Sequence, residues 1–395
     1  MTAPDRGFTN DEFASRLAKA QAAMARHDVA ALLLTNEAEI RYFTGFMTQF
    51  WQSPTRPWFV ILPATGKPVA VIPSIGAALM RHCYIDDLVC WPSPAADDDG
   101  ISLLASRLRH SLSNGGKLAM LRGRETALRM PLGDYTELIT RLGSVELYDM
   151  TTDIQQIRMV KSPAEIAKIR HICGLASNVF STVPSWVQAG IPLDEMFRQF
   201  KIRALQSGVD DVSYLVGAAG AGGYDDIIAP PTSRPVMPGD IFMFDTGCVW
   251  DGYFCDFDRN FAVHHATDAA CEAHQKLHDA TLAARAILRP GITASDLFTA
   301  MHKSLHPNGS PHSDGEDVGR YGHGLGIQLT EPPSHTSWDQ TKIENGMVLT
   351  LEPSIGYGDG CIMVAEENVL VTVDGSELLT QAAPRDLPII APNPS

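Results

Sequence analysis

The stretch IFMFDTGCVWDGYFCDFDRNF (residues 241–261) decides how this chain is read, because it sets Asp245 and Asp256 on two strand-like runs joined by a turn. The apolar run Ile241–Phe244 leads into Asp245, Asp256 lies in YFCDFDRNF, and the turn at Val249–Gly252 folds one run back on the other. Such a hairpin brings the two carboxylates face to face. Three more potential ligands follow in order: His323 in YGHGLG, Glu352 in LTLEPS and Glu366 in VAEENVLVT. Gly322 and Gly324 flank the histidine and permit the close backbone approach that a metal site often needs. Singly, each acid reads as a turn or cap residue, and the histidine as a satisfied core side chain. As an ordered set of five they read as a dinuclear metal site. Four carboxylates bring a charge of about −4, which two divalent cations cancel, and that balance lets such a cluster be buried. Mn, Fe, Zn and Co all accept an oxygen-rich set with one imidazole, so the pattern does not choose among them.

The rest of the composition narrows the class. A length of 395 residues accommodates two domains, and 45% apolar with 19% charged residues marks a soluble globular chain. A net charge of −15 without a Lys/Arg cluster argues against nucleic acid as a partner. No run of eighteen apolar residues exists, so no membrane span is expected. The seven cysteines are odd in number and form no CxxC pair, and the N-terminus shows no basic-then-apolar leader, so the expected compartment is the cytoplasm.

Along the chain, helical spacing covers Asp11–Arg26, residues 101–112 and residues 131–142, alternating with β-type runs at Val29–Leu34, residues 58–62, 69–72 and 117–121. Residues 1–155 therefore read as a small α/β domain. TTDIQQIRMVK (151–161) reads as a connector. The second domain, residues 156–395, opens on Ser162-Pro163-Ala164-Glu165, a capping box with proline at the first helical position. Its helices (163–187, 193–206, 268–288, 295–305) are followed by strands without regular βαβ alternation, so this half is α+β. The glycine stretch VGAAGAGGYDD (216–226) lacks the register and acidic partner of a dinucleotide fingerprint and reads as a loop or β-bulge.

Eight stretches together resemble the pita-bread metallohydrolases, the family of methionine aminopeptidase, aminopeptidase P, prolidase and creatinase. They are IRYFTGF (40–46), IRMVKSPAEIAKIR (157–170), GDIFMFDTG (239–247), DGYFCDFDRNF (251–261), ILRPGIT (287–293), GHGLGIQLTEPP (322–333), NGMVLTLEPSI (345–355) and AEENVLVT (365–372). Length and two-domain layout are similar to the prolidase, aminopeptidase P and creatinase branch over nearly the whole chain. The resemblance implies an N-terminal creatinase-like domain, a C-terminal pita-bread domain and a homodimer. It also implies two divalent metal ions held by Asp245, Asp256, His323, Glu352 and Glu366, with Asp256 and Glu366 bridging. Glu352 or Glu366 is then the catalytic proton relay. Creatinase works without metal, so the retention of all five ligand types matters.

Three departures from the family bear on substrate. Thr330, before Glu331, stands where a histidine is usual; the loop GGYDDIIAPPTSRPVMPGD has no histidine; and Val364 replaces an arginine two residues before Glu366. Those side chains donate hydrogen bonds to peptide oxygens, and losing one such donor costs about 10²–10³ in rate. The reading is a metal-dependent hydrolase redirected to an amide or C–N bond of a small molecule. Tyr224, Asp225, Asp226, Thr330 and Trp51 are the candidate substrate contacts. Trp51 enters with Phe50 and Trp58, on an N-terminal loop that in the family's dimers reaches a neighbouring site. Aromatic faces beside carboxylates suit a cationic group. Alternatives are a dimethylsulfoniopropionate-type lyase, an Xaa-Pro dipeptidase with Tyr224 or Thr330 replacing the missing donors, and an inactive binding protein. Asp258, where the family usually has threonine, points to the same strand face as Asp256 and reads as a further oxygen ligand, an acceptor behind the ligands, or a salt-bridge partner near Arg259. His264, His265, His274 and His278 read as surface residues.

Overall fold

The computed structural model describes residues 2–53, 56–113, 115–308 and 319–392. The chain divides into two compact units, Asp5–Arg158 and Met159–Ser395 with Met1–Pro4.

In the first unit a mixed six-stranded sheet runs in the order β4-β3-β2-β1-β5-β6. Its strands are β1 (Val29–Leu34), β2 (Phe59–Pro63), β3 (Val69–Pro73), β4 (Asp87–Trp91), β5 (Lys117–Met120) and β6 (Leu147–Asp149). The central strands are near-continuous apolar runs because both faces are covered. The segment read as a connector is instead a helix, Thr151–Met159. The Asp149 carboxylate accepts the Thr151 N–H at 2.9 Å, and Ile154 is buried. The segment looks too polar for a packed helix because its buried face carries Arg158, whose charge is met by the equally buried Glu39. A hidden ion pair is invisible to an apolar-periodicity test.

The second unit opens on the helix Pro163–Trp186, with the Ser162/Glu165 capping box formed as the sequence implies. Its main sheet places β9 (Asp240–Trp250) between β11 (Phe257–Val263) and the pair β7 (Asp211–Val216) and β8 (Ala219–Ala221). At the hairpin tip β10 (Tyr253–Phe254) pairs with the end of β9, and β19 (Ile389–Ile390) pairs with the end of β11. A second sheet runs β13-β12-β14-β17-β18, and β15 pairs with β16. The strands are β12 (His323–Gly324), β13 (Glu331–Ser334), β14 (Val348–Leu351), β15 (Ser354–Tyr357), β16 (Cys361–Val364), β17 (Glu367–Thr372) and β18 (Gly375–Leu378). The glycine stretch forms β8 and its flanks. A Cβ at Gly217, whose φ is +145°, would lie 2.1 Å from the Met243 carbonyl oxygen.

Period-2 alternation along the β9–β11 hairpin is what positions the site. One face carries Phe242, Phe244, Phe257 and Phe261, which pack with Phe180, Phe197 and Phe200 of the helices Pro163–Trp186 and Leu193–Gln206. The opposite face carries Asp245, Asp258 and, just before β11, Asp256. Asp251 at the turn has φ +47° and pairs with buried Lys168 of the long helix, tying the tip to that helix.

Removing the ammonium in Lys168→Ala leaves the buried Asp251 charge without its main compensation, which costs about 3–5 kcal/mol. Urea unfolding should show that loss, and Lys168→Met with Asp251→Asn should recover most of it. An unchanged midpoint for the single variant would refute the role given to the pair.

Candidate metal centre

Asp256, His323 and Glu366 each direct one ligand atom into a group whose members lie within 4.8 Å of one another. They arrive from three chain segments: the end of the hairpin, the short strand β12, and the residue preceding β17. The His323 Nε2 lies 3.4 Å from Asp256 Oδ2 and 3.9 Å from Glu352 Oε2. The other ring nitrogen, Nδ1, is 2.9 Å from the Gly324 carbonyl oxygen. That contact assigns the proton to Nδ1 and turns the Nε2 lone pair toward the acids. Burial holds the imidazole pKa down to about 3, so it is neutral, the form that binds a metal.

Backbone contacts fix the acids. The Asp256 N–H donates to Asn368 Oδ1 at 3.0 Å, and the Asn368 amide donates back to the Asp256 carbonyl. The Glu366 N–H donates to Asp258 Oδ1 at 3.0 Å. The Glu352 N–H donates to the Tyr321 carbonyl at 3.1 Å. The Tyr214 side chain lies beside the Asp245 carboxylate. The Glu352 side chain is 27% exposed, whereas Asp256, Asp258 and Glu366 are buried.

Burial drives every carboxyl in the cluster upward, and mutual repulsion adds to it. Asp245 is pushed up to about 8 by burial and by the Glu352 charge, and Glu352 to about 7 by burial against the opposing pull of Arg320. Asp256, Asp258 and Glu366 are all raised well above the usual carboxylate range, again by burial first. Asp245 Oδ1, Asp258 Oδ2 and Glu366 Oε1 are buried without a hydrogen-bond partner. Unpaired buried carboxylate oxygens are costly, and cations are the partners that relieve several at once. The residues present therefore fit divalent metal ions.

The candidate substrate contacts fall in several different environments. Tyr224 is 2% exposed, packed in the core, and its hydroxyl donates to Asn260 Oδ1 at 2.7 Å. Asp225 and Asp226 are exposed, and Asp226 Oδ1 caps the Ile228 N–H at 2.8 Å. Thr330 is half-buried, and Val364 is buried in β16. Trp51 lies in the first unit, buried against Phe46 and Trp58. His274, expected on the surface, is buried, with Nδ1 3.1 Å from the Arg385 carbonyl oxygen. Sequence reasoning missed Tyr214, whose place beside Asp245 depends on the β7–β9 ladder, in which Tyr214 faces Gly247. No spacing rule in the sequence marks that pairing. The hairpin register also sets Asp258, not Asp256, directly across from Asp245.

Comparisons with known proteins identify the family. The family model described as Metallopeptidase family M24 matches residues 167–373, and the Creatinase/Prolidase N-terminal domain matches residues 16–160. The chain belongs to metallopeptidase family M24. It is 26% identical over 379 residues to the probable dipeptidase PepE of Mycobacterium tuberculosis, covering 94% of this chain and 95% of that one. Among solved structures it is similar to dipeptidase PepE from Mycobacterium ulcerans, with 25% identity, a TM-score of 0.81, and coverage of 97% and 99%. A recombinant prolidase from Thermococcus sibiricus superposes with a TM-score of 0.85 at 23% identity, covering 97% of this chain and 100% of that one, a likeness of fold. The fold is thus a creatinase-type N-terminal domain followed by a pita-bread domain. Among the described residues no helix is long and apolar enough to cross a membrane.

The raised carboxyls predict a pH dependence for the metal-free protein. Asp245 and Glu352 hold protons in the folded chain up to about 8 and 7, but release them near 3.8 and 4.5 when unfolded. Between these limits the folded state binds more protons, so stability is highest in acid and falls as pH rises through 7 to 8. Thermal melts in chelator should show a lower Tm at pH 8.5 than at pH 5.5, with a smaller gap in Asp245→Asn. A Tm that rises over that interval would contradict the assignment.

Proposed function

We propose that this chain is a metal-dependent hydrolase that cleaves an amide, or a related C–N bond, in a substrate of about dipeptide size. The observation that carries the reading is the convergence of Asp256, His323 and Glu366 with Glu352 at the open edge of the group. The named relatives support it, since a dipeptidase matches over nearly the whole length of both chains.

In this reading Asp245, Asp256, His323, Glu352 and Glu366 would hold the divalent ions. When bound, such ions polarise a carbonyl oxygen and lower the pKa of a water to near neutrality. The chain's own residues do the rest. His323, locked by its Gly324 contact, presents Nε2 without having to lose a proton. Tyr214 sets a hydroxyl-bearing side chain beside the Asp245 carboxylate. Glu352, whose side chain is partly exposed, takes a proton from the attacking water and returns it to the departing amine nitrogen. Because Thr330 and Val364 replace two peptide-oxygen donors, substrate is held with fewer charged contacts than in an ordinary Xaa-Pro peptidase. The family's usual substrate is therefore the second reading, not the first.

A panel assay on the metal-loaded chain separates these outcomes. The panel is an Xaa-Pro dipeptide, a proline-free dipeptide, an N-acylated or guanidino metabolite and a sulfonium acid. Amine release from an amide substrate is expected, abolished by chelator and reduced about 10²–10⁴-fold in kcat by Glu352→Gln, with a small change in KM. Formation of an unsaturated acid from the sulfonium compound, with no amine from any amide, would replace hydrolysis by elimination.

A further inference from the structure

Asp258 has no role in the mechanism above, yet its surroundings single it out. It is paired directly with Asp245 in the β9–β11 ladder, so both side chains leave the same face of the sheet. It stands two residues from Asp256 along the chain, again on that face. Only 2% of it is exposed. Its Oδ1 accepts the Glu366 N–H at 3.0 Å, which pins the carboxylate beside a ligand, while Oδ2 is buried with no hydrogen-bond partner.

The neighbouring cation does not account for it. The Arg259 guanidinium donates to the Asp258 backbone carbonyl at 2.6 Å, to the Glu366 carbonyl at 2.9 Å, to Glu367 Oε2 at 2.9 Å and to the Gln381 carbonyl. It hydrogen-bonds the backbone of Asp258 and makes no hydrogen bond to the carboxylate, on which its charge acts only through space. Asp258 Oδ2 therefore joins Asp245 Oδ1 and Glu366 Oε1 as one of three unpartnered carboxylate oxygens carried by directly connected residues: Asp258 pairs with Asp245 in the ladder and bonds Glu366. Three such oxygens share one missing kind of partner, a hard positive charge.

We propose that Asp258 is a sixth protein donor to the cation site, its Oδ2 supplying an additional hard oxygen. The assignment rests on reading the cluster as a divalent-cation site. It adds a property that the five shared ligand types do not confer. A fifth carboxylate raises the negative charge and the oxygen share of the site, which favours Mn²⁺ over Zn²⁺, the ion better served by imidazole.

Calorimetric titration of Mn²⁺ and of Zn²⁺ into the metal-stripped full chain tests this, with Asp258→Asn, Asp258→Thr and Asp258→Ala in parallel. Asparagine keeps an oxygen that accepts the Glu366 N–H but removes the charge and the second oxygen. Threonine is a second, smaller replacement, and melts without metal check that each variant folds. Mn²⁺ affinity should fall by about 10–100-fold in both Asn and Thr variants, with a smaller loss for Zn²⁺. Wild-type Mn²⁺ affinity in Asp258→Asn, lost only in Asp258→Ala, would reduce the residue to a support for Glu366 and overturn the proposal. If the wild-type chain takes up neither ion, the cation reading itself fails, and the role of Asp258 falls with it.

Discussion

Repulsion among buried carboxylates is the constraint on which this structure turns. Folding the β9–β11 hairpin brings Asp245, Asp256 and Asp258 onto one face, and β17 and β14 deliver Glu366 and Glu352 against them. Hydrophobic packing cannot favour that meeting; it only tolerates it, because the other face of the hairpin is locked into the phenylalanine layer by Phe242, Phe244, Phe257 and Phe261. The strands are thus held in register by one face so that the other can keep an unfavourable charge density. Divalent cations are the natural relief, and proton uptake is the other.

The supporting contacts fit that division. Backbone N–H groups of Asp256, Glu366 and Glu352 are each anchored by an acceptor, so the carboxylates are aimed by main-chain geometry. His323 is oriented by its own Nδ1 contact, and Lys168 fixes the hairpin tip from the helix behind. Rigid supports of this sort keep ligands converged while they repel one another.

Much of this was legible in the sequence. Alternation in IFMFDTG and FDRNF gives the hairpin and the common face of Asp256 and Asp258, and the Ser162-Pro163-Ala164-Glu165 start gives the long helix. The convergence of Asp256, His323 and Glu366 was legible because charge arithmetic demands a cation partner for such a set. Cross-strand pairing was not, so Asp258 rather than Asp256 faces Asp245, and Tyr214 went unseen. Tyr224 reads as a substrate contact because it lies, beside Asp225 and Asp226, in the loop where the family has a histidine; its ring is drawn inward by the core around Met243 and Val364, and its hydroxyl finds Asn260 there. The helix Thr151–Met159 was hidden by a buried ion pair that makes its inner face look polar.

The most direct test of the central claim is a crystal structure of the Mn²⁺-soaked protein with anomalous difference density collected at the metal edge. The account predicts two peaks among Asp245, Asp256, His323, Glu352 and Glu366. Density free of any peak there, at saturating Mn²⁺, would contradict it.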